Sequence, residues 1–89
     1  MIHSLAGGIL SENTPKNFAK VELLGDYYTG TFWFVFDLPQ LKVGDTVLVP
    51  FGKQNILTKG KVLRIDKNVS PQASPIPFKQ AKKIVSKTN

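Results

Sequence analysis

Read for alternation of apolar and polar positions, the chain resolves into strands. Phe18-Ala19-Lys20-Val21-Glu22-Leu23-Leu24 places Ala19, Val21 and Leu23 on one face and Lys20 and Glu22 on the other, the period-two pattern of a half-buried strand. Gly25-Asp26 interrupts it. Tyr27 to Leu38 forms a second strand, bent near Gly30, in which Phe32, Phe34 and Phe36 share the face expected to be core and Trp33, Val35 and Asp37 share the other. Val43-Gly44-Asp45 is turn chemistry leading into Thr46-Val47-Leu48-Val49, where three of four residues are β-branched, and Pro50 ends that strand or puts it at a sheet edge. After Phe51-Gly52-Lys53-Gln54-Asn55, Gly60 opens Lys61-Val62-Leu63-Arg64-Ile65-Asp66, so the simplest arrangement is an antiparallel hairpin with an elongated tip of about ten residues.

The two ends of the chain read differently. Residues 1–17 carry Gly7-Gly8, Ser11, Asn13, Thr14 and Pro15, the composition of an N-terminal arm whose Leu5, Ile9 and Leu10 would cover one barrel end. Residues 67–75 are linker-like. From Pro75, Phe78, Ala81, Ile84 and Val85 recur at helical spacing among Lys79, Lys82, Lys83 and Lys87, which predicts a basic amphipathic helix over 76–87. The expected fold is therefore mostly β: one domain, a small antiparallel barrel, OB-like or SH3-like, of about four to five strands over 18–66, with one C-terminal α-helix. Its expected core is Val21, Leu23, Phe32, Phe34, Phe36, Val47, Val49, Leu63 and Ile65, with Val62 ambiguous because alternation sets it opposite Leu63.

Charge changes the picture more than composition does. The 89 residues carry a net charge of +6, and 42% are apolar, enough for a folded core. Residues 1–45 hold three lysines against five acids, a balance of −2, whereas residues 46–89 hold eight lysines and Arg64 against Asp66 alone, a balance of +8. Such polarity points to a nucleic acid or to an acidic protein partner. Lys53, Lys59, Lys61 and Arg64 are the candidate phosphate contacts, since no acid lies between Asp45 and Asp66. Trp33, on the outer face of its strand, either stacks on a base or is covered by the arm or the helix; Tyr27 and Tyr28 offer a further aromatic platform.

Other chemistry finds little support. The chain has no cysteine and a single histidine, His3, which excludes disulfides and leaves no metal set, and no cofactor fingerprint is present. The six acids each have a surface or strand-end explanation, and no nucleophile–base–acid context is seen, so a catalytic role is not expected. Neither a leader nor an apolar run of spanning length occurs, which makes a cytoplasmic location, off the membrane, the expectation.

The run Val43-Gly44-Asp45-Thr46-Val47-Leu48-Val49-Pro50-Phe51-Gly52-Lys53, with Gly60-Lys61-Val62 after it and Leu38-Pro39 before it, resembles the N-terminal 3′ DNA-binding domain of primosomal protein N′, the bacterial replication-restart helicase. The resemblance spans residues 38–62. It implies a small barrel that binds single-stranded DNA or strand junctions. That family places an aspartate between two aromatics ahead of its Leu-x-Pro, where it helps hold a strand's terminal nucleotide; here the positions read Phe34-Val35-Phe36, and no helicase follows. The implied function is thus a nucleic-acid-binding module indifferent to the 3′ end. The alternative is an accessory domain, of a mobile element or phage, that docks on an acidic protein.

Overall fold

The computed structural model describes residues 14–88, so the expected arm with Leu5, Ile9 and Leu10, and His3 with it, lies outside the described residues. Five strands form one antiparallel sheet: β1 (Lys16–Leu24), β2 (Thr29–Phe36), β3 (Thr46–Phe51), β4 (Ile56–Val69) and the two-residue β5 (Ser86–Lys87), in the order β2-β1-β4-β3-β5. Short 3₁₀ turns occupy Pro71–Ala73 and Phe78–Gln80. The mostly-β expectation and the turn at Val43-Gly44-Asp45 hold: Gly44 takes a φ of 97°, Asp45 Oδ2 accepts the Lys42 N–H at 2.8 Å, and Gly44 N–H and Asp45 C=O both bond to Val62.

The core lies on the face carrying Ala19, Val21 and Leu23 of β1, Phe34 and Phe36 of β2, Val47 and Val49 of β3 and Val62 of β4, with Leu41 and Ile84 added from outside the sheet. β1 and β4 touch most closely at Gly60, where an added Cβ would overlap Val21 Cγ1 and crowd the Glu22 carbonyl. Only a residue without a side chain lets the two strands approach that far.

Four expectations are corrected. The hairpin tip is four residues, Gly52 to Asn55, because Phe51 already pairs with Ile56; Gly52 (φ 78°) and Asn55 (φ 52°) supply the left-handed turn, and Lys59 and Lys61 belong to β4. Leu63 is 39% exposed and Val62 fully buried. The cause is a β-bulge: Lys20 pairs with Arg64 and Val21 with Val62, so Leu63 is the extra residue without a partner, and Val62 and Ile65 both turn inward. Phe32 keeps the face of Phe34 but is 38% exposed, lying instead against the Phe51 ring at a centroid distance of 4.8 Å.

The C-terminal α-helix is the fourth correction. Residues 76–87 run extended apart from one 3₁₀ turn, and they bond to both edges of the sheet. Val35 N–H donates to Lys82 O and Val35 C=O accepts from Ile84 N–H, both at 2.8 Å; Val85 N–H donates to Leu48 O at 2.9 Å, and Thr88 N–H to Thr46 O at 2.8 Å. Pro75 and Pro77 hold Ser74 and Ile76 out of the helical region, and the spacing of Phe78, Ala81 and Ile84 repeats every three residues, which suits an extended or 3₁₀ chain as well as a helix. Phe78 covers Phe18 (centroids 5.8 Å), and Ile84 enters the core while Val85 faces water.

This path makes neighbours behave as opposites. Ile84→Ala is expected to cost about 2–5 kcal/mol of stability, and Val85→Ala less than about 0.5 kcal/mol. A helix with both residues on its docked face would make the two costs comparable. Denaturant unfolding of the two variants reads the difference.

Candidate functional site

Sheet register places the candidate residues. Trp33 of β2 sits across from Lys20 of β1, and Lys20 across from Arg64 of β4, so an indole and two cations form one row over three strands. The next row reads Thr31, Glu22, Lys61, Thr46, and Lys59 follows two residues along β4, beside Leu48. Because Thr58, Gly60 and Val62 are buried, Lys59 and Lys61 project from the opposite, outer face. The fold thus brings Trp33, Arg64, Lys61 and Lys59 together on that face and adds Lys20, which the sequence reading had treated only as strand patterning. Lys53 stands apart at the hairpin tip, some five strand residues from Lys61, about 17 Å along β4.

The acids on this face temper its charge without cancelling it. Arg64 Nε pairs with Asp66 Oδ1 at 3.0 Å, a contact two-thirds exposed on the arginine side, and Glu22 lies opposite Lys61. An exposed pair of this sort is worth little and yields readily to a phosphate.

The C-terminal lysines behave differently. Lys83 pairs with Asp37, Lys87 Nζ lies 3.2 Å from Asp45 Oδ2, and Lys82 Nζ donates to the Gly52 carbonyl at 2.6 Å. These cations fasten the terminal segment to its own sheet. Three of the nine cations of the second half, besides Arg64, are therefore engaged with the chain's own groups.

Trp33 also borders a cleft of ≈ 240 Å³, walled by Phe32, Trp33, Pro50 and Phe51 and by Ile76, Gln80 and Lys82 of the terminal segment. Tyr28 stacks on Phe51 at 5.2 Å, so that ring joins Phe32, Phe51 and Tyr28 into one cluster, while Tyr27 is 92% exposed. Trp33 itself is half-buried, neither a free platform nor a covered core residue. Among the described residues no three His, Asp or Glu side chains gather as metal ligands, and no helix is long and apolar enough to cross a membrane. Comparison with protein-family models, curated proteins and solved structures returned no significant match.

The lysines that clamp the terminus are not equal. Asp45 is buried, so Lys87→Ala removes the counter-charge from a carboxylate that still accepts the Lys42 N–H, and should cost about 1–2 kcal/mol. Lys83→Ala breaks a pair exposed on both sides and should cost less than about 0.5 kcal/mol. Unfolding midpoints of the two variants test the assignment.

Proposed function

We propose that this chain is a small non-enzymatic barrel module that binds single-stranded nucleic acid along the outer face of β1 and β4. In this reading the five-stranded sheet is an SH3-like or OB-like barrel, its wall completed over part of its length where residues 82–88 join β2 to β3. The observation that carries the proposal is the convergence of Lys20, Lys59, Lys61 and Arg64 on one face with Trp33 in the same row. Cations on alternate positions of neighbouring strands follow a phosphate chain, and the indole at the row's end stacks on a base, worth about 1–3 kcal/mol. Lys53 is a peripheral contact. The resemblance of residues 38–62 to the 3′ DNA-binding domain of primosomal protein N′ supports the same direction.

An acidic protein partner would use the same cations, yet the basic terminus expected to dock on it is bound to its own sheet instead, which favours nucleic acid.

Affinity for a fluorescent oligo-dT should fall steeply with salt, because each neutralised phosphate releases counterion. Lys59→Gln with Lys61→Gln removes two contacts and should flatten the slope of log K against log salt by about 1.4. A folded protein that fails to bind oligo-dT or oligo-U at low salt would sink the proposal.

End recognition has no means of support at position 35. Val35 offers no polar side chain, and its backbone N–H and C=O are both taken by residues 82 and 84. Oligonucleotides with free and blocked 3′ ends should therefore compete equally. A tenfold preference for the free end, about 1.4 kcal/mol, would show that another group reads it.

A further inference from the structure

A free acid stands in the middle of the basic face. The outer side chains of β1 and β2 form a square there: Trp33 lies across from Lys20, and Thr31 across from Glu22, two residues further along each strand. Facing side chains in such a ladder start about 5 Å apart, and successive outer residues of one strand about 7 Å. On the β4 side Arg64 lies opposite Lys20 and Lys61 opposite Glu22, with the bulged Leu63 between them, 39% exposed. Glu22 is exposed, and its carboxylate makes no hydrogen bond or ion pair among the described residues. Three other acids are answered: Asp66 by Arg64, Asp37 by Lys83 and Asp45 by Lys87. Lys61 is the plain partner for Glu22, and it is not engaged.

A free carboxylate in that place limits what can lie over it. Phosphates can follow Lys20, Arg64, Lys61 and Lys59, but not sit on Glu22, because like charges at this spacing repel. A base stacked on Trp33 is neutral, and its edge reaches over the square toward Glu22 and Thr31. An ionised carboxylate only accepts hydrogen bonds, so the edge that meets it has to donate. Cytosine, adenine and guanine carry an exocyclic amino group on that edge. Uracil and thymine have one donor, N3–H, set between two carbonyls that a carboxylate repels. Unstacked bases of single strands are read on these edges, and glutamate accepting from the cytosine amino group is a regular pairing in duplex grooves.

We infer that Glu22 selects the base on this face: its carboxylate accepts a hydrogen bond from the exocyclic amino group of a base stacked on Trp33, so that cytosine is taken in preference to uracil or thymine. This inference rests on the nucleic-acid reading and adds to it the class of base. Lys20 and Lys61 hold phosphates to either side of that base, and Leu63 gives it an apolar neighbour across the square from the indole. The Thr31 hydroxyl both donates and accepts, so it does not choose between bases. Strands of thymine or uracil still bind at low salt through their phosphates, only less tightly.

The test measures binding of fluorescent oligo-dC and oligo-dU of equal length to the full chain, at neutral pH and low salt. The two strands share backbone and ring size and differ only along the base edge that Glu22 meets. Oligo-dC is expected to bind about tenfold more tightly, the worth of one hydrogen bond to a charged group. Glu22→Gln turns its oxygen to cytosine or its NH₂ to uracil equally well, so the ratio should fall to about one while oligo-dU gains affinity. Because Glu22 is exposed and unbonded, that variant should keep its unfolding midpoint. Lys59→Gln with Lys61→Gln should weaken both strands and leave their ratio unchanged, since those contacts are to phosphate. Equal affinity of the native chain for the two strands overturns the inference and leaves the nucleic-acid reading standing. A cytosine preference that survives Glu22→Gln overturns it as well. If neither strand binds, the nucleic-acid reading falls and the inference falls with it.

Discussion

Two sheet edges and one strand to serve both is the constraint that organises this molecule. β2 and β3 flank β1 and β4 in the hydrogen-bonded order, and without the terminal segment that carries β5 each would present a row of backbone groups. Residues 82–88 answer both rows, with the β3–β5 ladder and four further backbone bonds, and bury Ile84 in the process. A helix over the same residues would satisfy its own amides and leave both edges open. Unpaired donors and acceptors next to a core are costly, so the extended path wins although the local pattern also reads as helical. Pro75 and Pro77 remove what helical start there was.

That choice redistributes the charge. A helix would have shown Lys79, Lys82, Lys83 and Lys87 to solvent as a basic face. The extended segment instead lays Lys83 on Asp37, Lys87 on Asp45 and Lys82 on the Gly52 carbonyl. Lys79 stays exposed, and the densest group of cations is on the outer face of the central strands, where Lys20, Lys59, Lys61 and Arg64 sit on neighbouring positions. Net charge counted along the sequence overstated the terminus and missed Lys20, because a count cannot tell a cation that clamps from one that faces water.

Local patterns were legible where a strand has one buried side and no irregularity. Val21, Leu23, Val47 and Val49 follow strict alternation and are buried. The turn at Gly44-Asp45 was readable from residue chemistry alone, since few residues accept the backbone it needs. What could not be read is what depends on distant partners. The bulge at Leu63 comes from the register of β4 against β1, and it reverses the facing of Val62 and Leu63. Phe32 has the parity of a core residue, but its place in the core would need a strand beside it that the terminal segment does not extend far enough to provide. Of the candidate site, the residue types were visible in the sequence. Their assembly into rows, and the separation of Lys53 from them, required the ladder.

β2 carries both the indole of the proposed face and an edge of the sheet, and strand geometry keeps the two apart. A side chain stands roughly perpendicular to the sheet, whereas N–H and C=O lie within it. Trp33 thus offers its indole to the row shared with Lys20 and Arg64, and its backbone to the edge away from β1. Occupying one direction does not consume the other. Among the described residues Val35 is held from both sides and Trp33 by β1 alone, so the indole stands at the less firmly held part of β2.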